Sequence, residues 1–185
     1  MDFVIGHFRW GQAGPFPEVN GSLTADARGL ALAFDVREEE IRAVNSIHNG
    51  SVCEDSCVEF FCAPFPSDPR YINIEINPIG TTHFAIGEGR HNRTLLPLEY
   101  IRALETKTAV DRGGAEARWQ VRFILPYELL AAIFGLKRAG PLNTIRCNFY
   151  KCGDKLKRPH WGSWSPVLTE QPDFHRPEYF AEAVI

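Results

Sequence analysis

Several stretches of the chain alternate apolar and polar residues with a period of two, the pattern of a strand buried on one side. In YINIEIN, Ile72, Ile74 and Ile76 face one way while Tyr71, Asn73, Glu75 and Asn77 face the other. Trp119, Val121, Phe123 and Leu125 likewise alternate with Arg118, Gln120 and Arg122. Ile145, Cys147 and Phe149 stand opposite Arg146, Asn148 and Tyr150, and Val58, Phe60 and Cys62 opposite Cys57, Glu59 and Phe61. Gly, Pro, Asn and Asp punctuate these runs. The pattern predicts strands at Leu30–Val36, Cys57–Ala63, Tyr71–Asn77, Thr82–Ile86, Ile101–Val110, Arg118–Leu125, Thr144–Lys151 and Tyr179–Val184. It predicts a helical turn at Arg37–Ala43 and a short helix at Tyr127–Phe134, which follows Pro126 and stops at Gly135. Many strands with so few helices indicate an all-β fold: an antiparallel two-sheet β-sandwich, with jelly-roll or immunoglobulin-like layers and one or two short helices. No repeat, linker or compositional break divides the chain, so residues 1–185 are expected to form one domain.

The polar faces of these strands carry Arg122, Arg146, Glu59, Glu75, Asn73, Asn77, Asn148 and Gln120. One reading is the solvated outer face that antiparallel sheets commonly have. The other is a ligand platform, because planar and bidentate groups at fixed spacing suit pairs of neighbouring hydroxyls. Lys, Thr and Ser, the usual residues of a solvated face, are sparse here, which favours the platform.

Composition narrows the classes. Apolar residues make up 44% and charged residues 23%, so the chain is globular rather than disordered. A net charge of −3 gives no electrostatic pull toward nucleic acid or an anionic membrane, and neither is expected as a partner. No apolar run approaches the roughly 20 residues of a membrane helix. The start, MDFVIGHFRW, lacks the features of a signal peptide, which implies a cytoplasmic protein, or a secreted one if a leader has been removed. The five cysteines, Cys53, Cys57, Cys62, Cys147 and Cys152, are odd in number and read as reduced thiols. Cys53/Cys57 and Cys147/Cys152 approach zinc-ligand spacing, but NFYK between the second pair reads as strand, so small core residues are the preferred reading.

Three segments carry a resemblance: VCEDSCVEFF at 52–61, YINIEINPIGT at 71–81, and RCNFYKCGDKLKRPHWGSWSPVLTEQPDFHRPEYFAEAVI at 146–185. Together they resemble the family 9 carbohydrate-binding modules and their DOMON-like relatives, from Leu30 onward. The resemblance implies a sandwich that grips the end of a sugar chain between two aromatic rings and acts in polysaccharide breakdown, beside a glycoside hydrolase. Its partner would be an oligosaccharide or polysaccharide. Carried over by residue, the sugar-contacting glutamate falls on Glu59 and one clamp ring on Phe174. The other clamp tryptophan falls on Cys53, which offers no stacking face, and the family's arginine falls on Glu75, which reverses the charge. Trp161, with His160 beside it, either supplies a replacement ring or packs as a loop tryptophan on the end of the sandwich, and Trp164 of SWS matches a core tryptophan. His175 and Arg176 flank Phe174 as further candidates, or belong to a segment that pins the last strand. No cofactor is implied, apart from a structural calcium for which Glu54, Asp55 and Asp68 offer oxygens.

Three other readings stay open. A glycoside hydrolase would use Glu59 and Glu75 as its carboxylate pair, although Arg122 and Arg146 on the same face would keep both ionised. A haem carrier, as among related sandwiches, would need two of six histidines, since Met1 is the sole methionine. A structural or interaction sandwich needs no sugar at all. A nucleophilic triad is not expected, for no GxSxG occurs and the cysteines lie within strands.

Overall fold

The computed structural model describes residues 1–11, 14–113 and 116–185. In chain order the strands are β1 (Asp2–Ile5), β2 (His7–Gly11), β3 (Glu18–Ala25), β4 (Gly29–Glu38), β5 (Cys57–Ala63), β6 (Tyr71–Ile76), β7 (Thr82–Gly87), β8 (Thr94–Leu95), β9 (Lys107–Asp111), β10 (Ala117–Pro126), β11 (Thr144–Cys152), β12 (His160–Ser163) and β13 (Ala181–Val184). They form two sheets, both antiparallel: β1-β3-β4-β10-β9, and β2-β12-β11-β5-β6-β7-β8 with β13 also paired to β11. The fold is the expected all-β sandwich. Among the described residues no helix is long and apolar enough to cross a membrane.

The apolar faces meet between the sheets. Leu32, Phe34 and Val36 of β4 and Trp119, Val121 and Phe123 of β10 pack against Val58, Phe60, Ile72, Ile74, Ile76 and Phe149. Phe149 stacks on Phe3 with centroids 3.7 Å apart, and on Phe60 at 5.4 Å. Each such buried side chain contributes on the order of 1.5–3 kcal/mol.

The opposite face of the second sheet is not solvated. The C-terminal segment 164–180 lies across it as a strap, and a second apolar cluster forms beneath. Cys57, Phe61, Tyr71, Tyr150 and Cys152 come from the sheet, and Val167, Phe174 and Phe180 from the strap. Polar anchors hold the strap down. Arg146 donates to the carbonyls of Pro177 and Phe180 at 2.8 and 3.2 Å, and Asn148 exchanges hydrogen bonds with the Ser165 backbone, both at 2.9 Å.

Some expected elements move. β4 continues through Glu38, and no helical turn forms at 39–43. The reason is tertiary: the Glu38 side chain is buried, accepts from Trp119 Nε1 at 2.6 Å and pairs with Lys151 at 2.9 Å. The expected strand at 101–110 is instead helix α1 (Leu98–Ala103), then β9. α1 follows Pro97 and buries Ile101, and Glu105 at φ 49° turns the chain back toward β9. Helix α2 (Tyr127–Phe134) forms as expected and ends at Gly135, whose φ of 70° suits a residue without Cβ. Strands β1, β2, β3, β8 and β12 were not foreseen. All but β3 are five residues or fewer; β3 has eight but carries Asn, Gly, Ser and Thr within EVNGSLTA, which reads as a break rather than a strand.

Candidate functional site

Where the strap crosses β5, β6 and β11 it leaves an open cavity of about 110 Å³. Its walls gather Glu59, Glu75, Trp161, Phe174 and His175, five of the sequence candidates, with Cys53, Cys152, Arg90, Asp154 and Asp173. The sheet explains the first two. Glu59 and Glu75 are directly opposite each other across β5 and β6, on the face away from the core. They are only 3% and 8% exposed.

Burial pushes both carboxyls above the usual carboxylate range, and the neighbouring Glu75 adds to the push on Glu59. The Cys152 thiol donates to Glu59 Oε1 at 2.9 Å, and the Asn73 amide donates to Glu75 Oε1 at 2.8 Å. Asn73 is itself oriented by Arg93, whose Nε donates to Asn73 Oδ1 at 2.9 Å. Arg93 lies 4.3 Å over the Tyr71 ring. Tyr71 Oη shares a 2.9 Å hydrogen bond with His175 Nδ1. Burial and the Arg93 charge hold the His175 pKa down at about 3, so its imidazole is neutral.

The rings form the sides. Trp161 donates from Nε1 to Asp154 Oδ1 at 2.8 Å, which fixes the indole at the rim. Phe174 stacks on Tyr150 with centroids 4.0 Å apart and planes 10° apart, so one face is already covered. Cys53, in the 3-10 turn Val52–Glu54, stands in the wall where the resemblance puts a tryptophan.

The remaining candidates lie elsewhere. Arg122 is exposed on the outer face of the first sheet, because β10 belongs to that sheet. Arg146 sits on the right strand but at the far end, bound to strap carbonyls. The expectation that both arginines share a face with the glutamates is corrected for Arg122; Arg146 does lie on that face, opposite Ala63, but is taken up by the strap, so the argument that the two keep the glutamates ionised falls. Asn77 is fully buried and builds the turn after β6, accepting from the backbone of Ile79 and Thr81 and donating to Asp55 Oδ2. Arg176 pairs with Glu178 at 2.8 Å. Asp55 takes the amides of Val44 and Asn45, Asp68 is chelated by Arg70, and Glu54 pairs with Lys155. Each of the three carboxylates considered for calcium thus has a protein partner, Asp55 also facing Arg42 at 3.4 Å.

A wider groove of about 720 Å³ lies on the outer face of the first sheet, beside Gln120 and Arg122. Its phenylalanines, Phe3 and Phe34, are buried in the core, and its half-buried Trp164 packs edge-on against Phe149, so no two rings face each other across it. Arg90, Arg93, Asp154 and Asp173 escaped the sequence reading because they sit in loops, where alternation gives no direction. The charged run GEGRHNR before β8 was the available signal for the two arginines.

Residues 2–185 match the model of carbohydrate-binding family 9. Among solved structures, a candidate carbohydrate-binding protein from Bacteroides uniformis is 33% identical, with a TM-score of 0.85 over 98% of this chain and 84% of that one. Two structures of a family 9 carbohydrate-binding module from Caldicellulosiruptor kristjanssonii, with cellotriose and with glucose, are each 13% identical with TM-scores of 0.59. They cover 98% of this chain, and 80% and 82% of theirs. No curated protein matches significantly.

Proposed function

Because the chain belongs to carbohydrate-binding family 9, we propose that it binds saccharides without cleaving them, in the cavity beneath the strap. The carrying observation is the convergence of Glu59, Glu75, Asp154 and Arg90 with the rings of Trp161 and Phe174 around one small opening. Carboxyls and a guanidinium supply the hydrogen bonds that hydroxyls need, and a ring wall supplies the apolar contact.

At about 110 Å³ the open cavity is well below the roughly 300–1,000 Å³ of drug-sized sites, so it has room for no more than one sugar unit. That supports recognition of a chain end rather than an internal unit. The ligands in the Caldicellulosiruptor kristjanssonii structures, cellotriose and glucose, give the class to try first. Work beside a glycoside hydrolase in polysaccharide breakdown is proposed on the same membership.

The paired carboxyls are the one observation that favours a hydrolase. Against it, both are nearly buried and each already holds a protein donor. Calorimetry with glucose and cello-oligosaccharides tests the reading, followed by a wider glycan panel. Binding should be one to one and weaken at least tenfold in Trp161→Ala and in Glu59→Gln, which keeps the shape of a buried side chain. Incubation with the same sugars should release no reducing ends. Absence of binding across the panel would sink the reading, and steady release lost in Glu75→Gln would make the protein an enzyme.

A further inference from the structure

The floor of the cavity holds two thiols that saccharide binding does not require. Cys57 and Cys152 stand directly opposite each other on β5 and β11. Glu59 follows two positions along β5, on the same face. The two sulfurs and a carboxylate oxygen all lie within 4.8 Å of one another, the only such trio of His, Cys, Asp or Glu among the described residues. The three residues are 0%, 1% and 3% exposed. None of the ion pairs among the described residues includes Glu59, so a negative charge there has no direct cationic partner.

We propose that Cys57, Cys152 and Glu59 bind one thiophilic divalent cation, with zinc the best match. Two sulfurs and one oxygen suit a borderline ion such as zinc, whereas calcium and magnesium take all-oxygen shells of six or more. All three ligands project from the strands of one sheet, which holds them near each other before any ion arrives. Cys152 and Glu59 line the cavity while Cys57 lies behind them, so an ion enters from the cavity and keeps a fourth position facing it. Binding displaces the thiol protons, and any carboxyl proton, to solvent.

The other cysteine pair sharpens the contrast. Cys62 and Cys147 are also opposite each other on β5 and β11, but they face the main core with no carboxylate beside them. The site does not rest on the saccharide reading.

The test uses the reduced, full-length protein, titrated with cadmium for its thiolate charge-transfer band and with zinc against a chromophoric chelator. One ion per chain is expected. Cys57→Ser and Cys152→Ser should each weaken binding by roughly a hundredfold, at least the loss seen when a mere outer partner is removed. Cys53→Ser, at the wall, should leave it intact. If a cysteine variant does not fold by circular dichroism, Glu59→Gln carries the test and should weaken zinc at least tenfold. No cadmium–thiolate band in the wild type, or a band that survives in the folded ligand variants and disappears in Cys53→Ser, overturns the assignment. Cys57 does not line the cavity, so Cys57→Ser should lose the ion and keep the saccharide, which separates the two proposals.

Discussion

Phe174 is the residue whose truncation tests both the packing of the strap and the wall of the cavity. Its ring lies flat on Tyr150 at 4.0 Å, and the residue is 8% exposed. Removing a buried phenylalanine ring costs about 3–5 kcal/mol, of which stacking accounts for about 0.5–1.5 kcal/mol. The main-chain anchors survive the change: Tyr150 still donates to the Phe174 carbonyl at 3.2 Å, and Arg146 still holds Pro177 and Phe180. The expected loss in Phe174→Ala therefore lies near the lower end, about 3 kcal/mol, a fall in Tm of roughly 6–12 °C for a chain of this size. Urea unfolding followed by tryptophan fluorescence reads it well, since Trp10 Nε1 donates to the strap carbonyl of Thr169 at 3.0 Å. Phe174→Leu should recover about half of the loss, because it restores volume without the stack. Saccharide affinity should drop at least tenfold in Phe174→Ala under conditions where it remains folded. A loss below about 1 kcal/mol with unchanged affinity would mean that the strap does not pack on the sheet and that the polar face is open.

Acid should destabilise the fold through His160 and His175, whose pKa values are held down at about 3 by burial and, respectively, by Lys151 and Arg93. The unfolded chain then binds more protons, so stability falls by up to about 2.7 kcal/mol per pH unit from near pH 6 toward 3, and His160→Gln should halve that slope in urea titrations. Glu59 acts with the opposite sign. Its raised carboxyl pKa gives stability that is fully present below the ordinary value near 4.3 and is lost as pH rises through the folded value, so Glu59→Gln should gain on the wild type as pH increases. At the sandwich interior, Lys151→Met should cost about 3–5 kcal/mol by leaving the Glu38 carboxylate buried without its 2.9 Å partner, and adding Glu38→Gln should restore most of it. A single variant as stable as the wild type in chemical denaturation would show that the pair is not buried in solution.

Alternation in β5, β6, β10 and β11 was readable because each strand buries one face completely, and a one-residue slip would expose it. It assigned faces correctly within every one of these strands. It could not say which sheet each strand joins, so Arg122 was grouped with residues that lie on the far side of the molecule. Nor could it see the strap. Arg146, Asn148 and Asn77 looked like ligand-reading groups, yet their partners are backbone groups tens of residues away or in the next turn. The five residues that do meet at the cavity were found partly through the resemblance. Arg93, which orients Asn73 and through it Glu75, lies in a loop where alternation gives no direction, and only the charged run GEGRHNR hinted at it.

Two departures from the family pattern acquire a joint meaning in the structure. The resemblance places an arginine where this chain has Glu75, and a tryptophan where it has Cys53. An arginine opposite Glu59 would satisfy the carboxylate internally. With Glu75 there instead, two carboxyls stand opposite each other in a setting that disfavours charge, and among the described residues neither forms an ion pair. Such a pair is completed by a shared proton or by something from outside. With the proton, it offers hydroxyls both a donor and an acceptor at one spot; with a cation, Glu59 becomes a ligand beside two thiols. A cysteine in place of the ring leaves the approach to that floor less obstructed. The two replacements thus shift recognition from ring stacking toward the floor of the cavity, where the Cys57→Ser and Trp161→Ala variants separate an ion from a sugar.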